Sequence, residues 1–258
     1  MRVMFRLTIW GILLTAIGVW GQIPTPGVTT STPELNTIVS RMQTAMAGRN
    51  HGRAYSVTRE YKLTPEDVRK TARVVAQINT VQSGKKDYRI TEGSGQAENI
   101  IRKVLDHEKE AANDHSASGE IVPENYDFTY KGTAALDGHT CYVLGLQPHH
   151  NAKDVLNGKV WVDADNYLIR QVAGAPVKMP SWWIKDVQLT LHYREMEGVW
   201  VQDSGQAIAQ VRIVGKHTLS SRAVDVRTQT AVASSTPARK HTRRTDPALL
   251  GAGVFSHR

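Results

Sequence analysis

The hydrophobic pattern divides the chain into a helical opening, a long set of strands and a polar end. Leu35, Ile38, Val39, Met42 and Met46 recur at helical spacing and share one face. Thr32-Pro33-Glu34 stands before them with a capping hydroxyl, a proline suited to the first turn and an acid at the positive end of the helix dipole. This predicts an amphipathic helix that ends near Gly48 or Gly52. The period then changes to two. Tyr55, Val57 and Tyr61 share a side within residues 54–62, and Val74, Ala76 and Ile78 do so further on, as in half-buried strands. Ser83-Gly84-Lys85-Lys86 reads as a turn into a short strand at Asp87–Thr91. A second helix is predicted from Gln96 to Ala112, with Ile100, Ile101, Val104 and Leu105 inward, and residues 113–122 are polar and irregular.

From Tyr126 onward the pattern is a strand meander. Tyr126, Phe128 and Tyr130 alternate, Asp137-Gly138 marks a hairpin turn, and Tyr142, Leu144 and Leu146 alternate again. An excursion at His149–Asn157 leads to strands at Lys159–Asp163 and Tyr167–Ala173, separated by a turn at Ala164–Asn166. Three further strands are predicted at 186–194, 199–203 and 206–219. Val187, Leu189, Leu191 and Tyr193 lie on one side of the first; Ala207, Ala209, Val211 and Ile213 lie on one side of the last. About eight to ten strands in hairpin order, with two early helices, predict an α+β fold in which one antiparallel sheet packs against helices. Residues 34–226 are long enough for one domain and too short for two.

The ends carry different signals. Arg2 and Arg6 precede an uncharged run from Leu7 to Trp20, followed by Gly21, which is the order of a secretory signal peptide. That run is shorter than the roughly 20 residues a spanning helix needs. Residues 1–21 are therefore read as a signal peptide cleaved after Gly21, with an uncleaved anchor as the alternative. Gln22 occupies the place of a lipidated cysteine, so no lipid anchor is expected, and residues 22–33 read as a flexible leader. The net charge of +8 is concentrated in residues 227–258, where six basic side chains face Asp246 alone. This segment is low in apolar residues and is expected to be a disordered basic tail. The body is close to neutral and offers no electrostatic footprint for nucleic acid.

Catalytic chemistry is poorly represented. There is no Gly-x-Ser-x-Gly frame, and Gly93-Ser94-Gly95 lacks the rest of either phosphate-binding fingerprint. Cys141, the only cysteine, lies in an apolar strand and reads as a buried thiol. His149-His150 with Asp154 reads as a solvated loop, because adjacent histidines point apart. Asp163-Ala164-Asp165-Asn166 begins like a calcium loop, but Leu168 and Gly174 stand where the glycine and the glutamate are needed. No metal, cofactor or catalytic residue is expected. Trp182 and Trp183, after Pro180-Ser181 in a loop, suit either the mouth of an apolar pocket or anchors to the core.

The strand residues themselves carry a resemblance. Asn125-Tyr126-Asp127-Phe128, Leu136-Asp137-Gly138, Tyr142-Val143-Leu144-Gly145-Leu146-Gln147-Pro148, Gly158-Lys159-Val160-Trp161-Val162-Asp163 and Gly198-Val199-Trp200 follow one another as in outer-membrane lipoprotein-sorting proteins. Over residues 34–226 the sequence resembles the LolA/LolB-like superfamily, which includes the RseB N-terminal domain and LppX. The resemblance implies a strongly curved antiparallel sheet, an unclosed β-barrel covered by helices, whose concave face holds acyl chains. In the carrier an arginine near the early strands helps close the lid, and Arg53 and Arg59 both stand in that region. A soluble, non-enzymatic periplasmic carrier of lipid or lipoprotein acyl chains is the leading expectation. Its expected lining is Leu189, Leu191, Val211 and Ile213, with Trp182 and Trp183 at the rim. The rival is an envelope sensor or interaction module acting through a protein partner, with the basic tail reaching membrane proteins or anionic lipid.

Overall fold

A computed structural model describes residues 33–66, 71–113, 120–151, 155–179, 182, 184–212 and 215–229. The expected signal peptide, nearly all of the expected leader and the expected tail beyond Gln229 lie outside the described residues. All the described elements belong to one unit that begins at Leu35. They run α1 (Leu35–Gly48), β1 (Ala54–Pro65), β2 (Ala72–Thr80), β3 (Lys86–Glu92), α2 (Gly95–Asn113), β4 (Tyr126–Leu136), β5 (His139–Pro148), β6 (Leu156–Asp163), β7 (Ile169–Pro176), β8 (Ile184–Met196), β9 (Val199–Val211) and β10 (Gly215–Gln229).

The ten strands form one sheet in the order β3-β2-β1-β10-β9-β8-β7-β6-β5-β4, and every neighbouring pair is antiparallel. Strands β4 to β10 follow as successive hairpins, after which β10 turns back onto β1 and the meander continues to β3. Among the described residues, β3 and β4 end the sheet without pairing to each other, and α2 lies between them in the chain. Two hairpins carry the left-handed pairs Asp137-Gly138 (φ 50° and 81°) and Glu197-Gly198 (φ 50° and 73°). That turn geometry matches the twist of the flanking strands. Register shifts at Thr58/Arg59, Tyr130/Gly132, Trp161/Val162 and His192/Tyr193 add local twist. The product is a curved, unclosed barrel.

Both helices lie on the inner face, and their coverage is modest. Ile38, Val39 and Met42 of α1 are buried with Tyr126, Leu144, Leu146, Val160, Val162 and Val172 from β4 to β7. Ala97, Ile101 and Leu105 of α2 pack on Tyr61, Val74, Ala76 and Ile78 from β1 and β2. A third cluster joins Val57, Val199, Val201, Ala223 and Val226.

One end of the sheet is tied shut by polar contacts. Asn50, just after α1, donates to the Trp200 carbonyl (2.7 Å) and accepts from the Trp200 amide (2.8 Å). The Trp200 indole donates to the Ile169 carbonyl at 3.2 Å. Asp163 is fully buried. It accepts from the amides of Asp165 and Asn166 at 2.8 and 3.2 Å and from the Arg170 guanidinium.

Two expectations change. The strand predicted at 206–219 is two strands, because Ala207, Ala209 and Val211 finish β9 and the chain turns before Gly215. Alternation alone could not locate that turn. In addition, β10 continues past the expected limit of the domain, since Arg227, Thr228 and Gln229 pair with Ser56, Tyr55 and Ala54. In α2 the fully covered positions are Ala97, Ile101 and Leu105, while Ile100 and Val104 are only half-buried. Cys141 is buried, as its apolar strand predicted.

Burial raises the pKa of Asp163, but Arg170 and the two amides outweigh it and hold the carboxyl below its ordinary value of 3.8. A depressed folded value means that this stabilisation is complete above the unfolded value and is lost as pH falls through the folded one. Asp163→Asn is expected to cost about 3 kcal/mol at neutral pH, because Arg170 loses its charged partner. It should also flatten the loss of stability below pH 3.8. Urea denaturation of both proteins between neutral and acid pH checks the two effects.

Candidate ligand-binding face

Cross-strand register defines rows of side chains on the inner face. One row runs Leu146, Gly158, Gly174, Leu189, Ala207, Leu219, Leu63 and Ala72, from β5 through β10 to β1 and β2. It contains no polar side chain. The row beside it runs Leu144, Val160, Val172, Leu191, Gly205, Ser221, Tyr61 and Val74.

Small residues keep the middle of these rows low. A Cβ at Gly158 would lie 2.1 Å from the Ala173 carbonyl oxygen, and one at Gly174 would lie 2.3 Å from that of Asn157. Only glycine fits at either position. Leu189, Leu191, Ala207, Ala209 and Val211 are half-buried, and none of them belongs to the three packed clusters. Among the described residues, α1 takes the β4 flank and α2 the β2 and β3 flank. Between the two helices β8 and β9 therefore present an apolar trough with a shallow floor.

The expected site residues fall as follows. Leu189 and Leu191 lie side by side in the trough. Val211 stands at its end, paired with Ile184 and Gly215. Trp182 lies at that same end, 80 % exposed, with its carbonyl accepting from Arg212 Nε at 2.8 Å. Trp183 and Ile213 lie outside the described residues.

The row scheme also reveals a polar group that the strand alternation signalled but did not explain. Arg59 shares the inner side of β1 with Val57 and Tyr61 and is 6 % exposed. Its guanidinium meets Glu108 of α2 at 3.4 Å and the Gln202 carbonyl at 3.4 Å. Glu108 follows Leu105 by three positions on the inner stripe of α2, a spacing that places it over Arg59. Burial works against the Arg59 charge, but Glu108 and Tyr61 outweigh it, so the guanidinium is held above its ordinary value. Burial and then the Glu108 charge push the Tyr61 and Tyr193 phenols up to about 12. Both phenols remain neutral donors at physiological pH. Arg53, the other arginine in this region, lies exposed at the polar end and donates to the Gly198 carbonyl.

Other candidate chemistry does not assemble. His149 pairs with Asp127 at 3.0 Å, and Asp154 lies outside the described residues. Among the described residues His139, Asp163 and Asp165 are close enough to suggest a cation site, but the Arg170 guanidinium already contacts both Asp163 and His139. The outer face has an open depression of about 770 Å³ lined by Glu60, Lys62, His192, Arg194, Ser204 and Arg222 among others. Charged and hydroxyl groups of this kind suit water better than an acyl chain. Among the described residues no helix is long and apolar enough to cross a membrane.

Comparison with solved structures finds several that are similar to this chain. An outer membrane lipoprotein-sorting domain assigned in Vibrio parahaemolyticus matches at 14 % identity, TM-score 0.48, over 76 % of this chain and 94 % of its own. A LolA superfamily protein from Nitrosomonas europaea matches at 10 % identity, TM-score 0.43, over 77 % and 95 %. The chain is similar to LolA superfamily proteins. A DUF1329 family protein from Desulfovibrio piger matches at 12 % identity, TM-score 0.43, over 78 % and 96 %. No family model matches the chain, and no curated protein matches it.

Removing the Glu108 carboxylate leaves the Arg59 cation nearly buried without its partner. Glu108 is itself partly solvated, so Glu108→Ala is expected to cost about 2 kcal/mol, between the values for exposed and fully buried pairs. Faster hydrogen exchange concentrated in α2 is the expected signature. The double change Arg59→Met/Glu108→Leu should restore most of the loss in a denaturation experiment.

Proposed function

We propose that this protein is a non-catalytic binder and carrier of an apolar chain, a lipid or a lipoprotein acyl group, working in the periplasm. The observation that carries the reading is the apolar row across eight strands, whose central members are left half-buried between two helices. Half-covered leucines on an inner face have a cost in water that a bound hydrocarbon chain would remove. The low floor at Gly158, Gly174 and Ala207 leaves width for a chain to lie across the strands. The polar contacts at the Trp200 end favour the Trp182 end as the way in. The export signal read in residues 1–21 supports the periplasmic setting, and Gln22 supports a freely diffusing form. The lining comprises Leu189, Leu191 and Val211 with Ala207 and Leu219, and Trp182 stands at the rim.

Each buried methylene contributes ~0.8 kcal/mol, so affinity should rise about fourfold per CH₂ until the trough is filled. Displacement titrations with alcohols of increasing chain length measure this slope. Ala207→Phe, which fills the middle of the row, should weaken binding by about tenfold or more, equivalent to two lost methylenes or more. Native mass spectrometry of protein taken from the cell envelope, followed by lipid extraction, is the direct check. Recovery of unliganded protein that also takes up no offered chain would overturn the reading.

A further inference from the structure

The sheet has two end strands, β3 and β4, and they are finished differently. At the β3 end α2 reaches the strand. The Asn113 side chain accepts from the Lys86 amide at 2.8 Å and donates to the Lys86 carbonyl at 2.9 Å. Lys109 meets Asp87 at 2.9 Å, and the Tyr88 hydroxyl donates to Asp106. β4 has β5 on one side and, among the described residues, no strand on the other. An edge with open amides and carbonyls is a template for a further strand.

The direction of those groups follows from the β4 ladder. The His149 amide donates to the Asn125 carbonyl at 2.9 Å, in the same register as Asp127↔Gln147 and Thr129↔Gly145. Bonded and unbonded pairs alternate along an antiparallel ladder, so Asp127 and Thr129 turn their backbone groups to β5. Phe128 and Tyr130 turn theirs to the open side. The register shift at Tyr130/Gly132 then ends this regular stretch at Lys131.

Its side chains are complementary to their own reversal. Asp127-Phe128-Thr129-Tyr130-Lys131 has an acid at one end, a base at the other, an aromatic residue inside each and threonine at the centre. Turned antiparallel about Thr129, the stretch sets Asp127 opposite Lys131 of a second copy, Phe128 opposite Tyr130, and Thr129 opposite itself. Phe128 and Tyr130 become the bonded pairs, as their outward backbone groups require. Thr129 and Lys131 share the outer face, since a Cβ at Gly145 would lie 3.7 Å from Thr129 Cβ and 2.9 Å from Lys131 Cε. Asp127 joins them by alternation, and all three are exposed. Asp127 Oδ1 meets His149 Nε2 at 3.0 Å, which leaves Oδ2 for the lysine. Centred on Phe128 or on Tyr130, the backbones still fit but both ion pairs are lost.

We infer that two copies of this chain pair through β4, antiparallel about Thr129, and join their sheets into one. The inference is independent of what the trough holds. Cross-strand aromatic and opposite-charge pairs favour the contact, and like charges placed there oppose it. The two-fold contact uses the β4 edge of both copies, while α2 holds the β3 edge, so assembly closes at two.

Sedimentation of the full-length mature protein over a concentration series tests the pairing. A monomer–dimer equilibrium is expected. Lys131→Asp and Asp127→Lys each turn two attractive pairs into two repulsive ones and should weaken the dimer about tenfold or more. The exchange Asp127→Lys/Lys131→Asp should return it to within about threefold of the parent, which general damage to the edge would not allow. Thr129→Cys places the two sulfurs at the axis, where Cα atoms about 4.5 Å apart are within disulfide reach, so mild oxidation should give a covalent dimer. Thr133→Cys, off the axis, should not. Protein that stays monomeric up to about 1 mM overturns the inference. A dimer that the exchange leaves as weak as the single reversals, or one that Thr129→Cys fails to cross-link, overturns it equally.

Discussion

The pairing of the first strand with the last is the constraint on which the structure depends. β1 meets β10 from Ala54↔Gln229 to Pro65↔His217, joining residues more than 150 positions apart. Without that ladder, β1 to β3 with α2 would be one small hairpin layer and β4 to β10 another. Each would expose the face it now shares. The ladder also sets the site, because it brings Tyr61 beside Ser221 and Leu63 beside Leu219. The two apolar rows thereby continue from the second half of the chain into the first. Contacts of this separation are costly in chain entropy to close, and the buried cluster of Val57, Val199, Val201, Ala223 and Val226 along the junction offsets that cost.

Much of the architecture was legible because the strands repeat with a period of two and turn at visible signals. Asp137-Gly138 sits at a hairpin, and α1 buries Ile38, Val39 and Met42 of the five residues that its helical spacing selected, with Leu35 and Met46 half-buried. The failures have a common cause. Where alternation continues through a turn, as from Ala207 to Leu219, periodicity gives the faces correctly and the strand ends wrongly. The order of strands is not periodic information at all. Nothing local in Ala54–Pro65 says that its partners are β2 and β10, and only the resemblance of the strand residues suggested a curved, unclosed sheet.

The candidate site divides in the same way. Leu189 and Leu191 were visible as inward residues of one strand, but their significance lies in what fails to cover them, which depends on where two distant helices settle. Arg59 carried a local signal: a charged residue on the apolar side of an alternating strand. Its meaning needed Glu108, forty-nine residues away on another element. The glycine pair at 158 and 174 became informative only when register set the two opposite each other.

The gap between β3 and β4 has a mechanical consequence. A closed barrel has its radius fixed by strand number and stagger, and it cannot widen without breaking ladder hydrogen bonds. Here, among the described residues, the circuit is interrupted between β3 and β4, where α2 packs on the β2 and β3 side. The sheet can open or tighten like a split ring while every existing strand pair stays intact. The spacing of the two sheet edges is then set by the packing of side chains against the helices and not by a closed ladder.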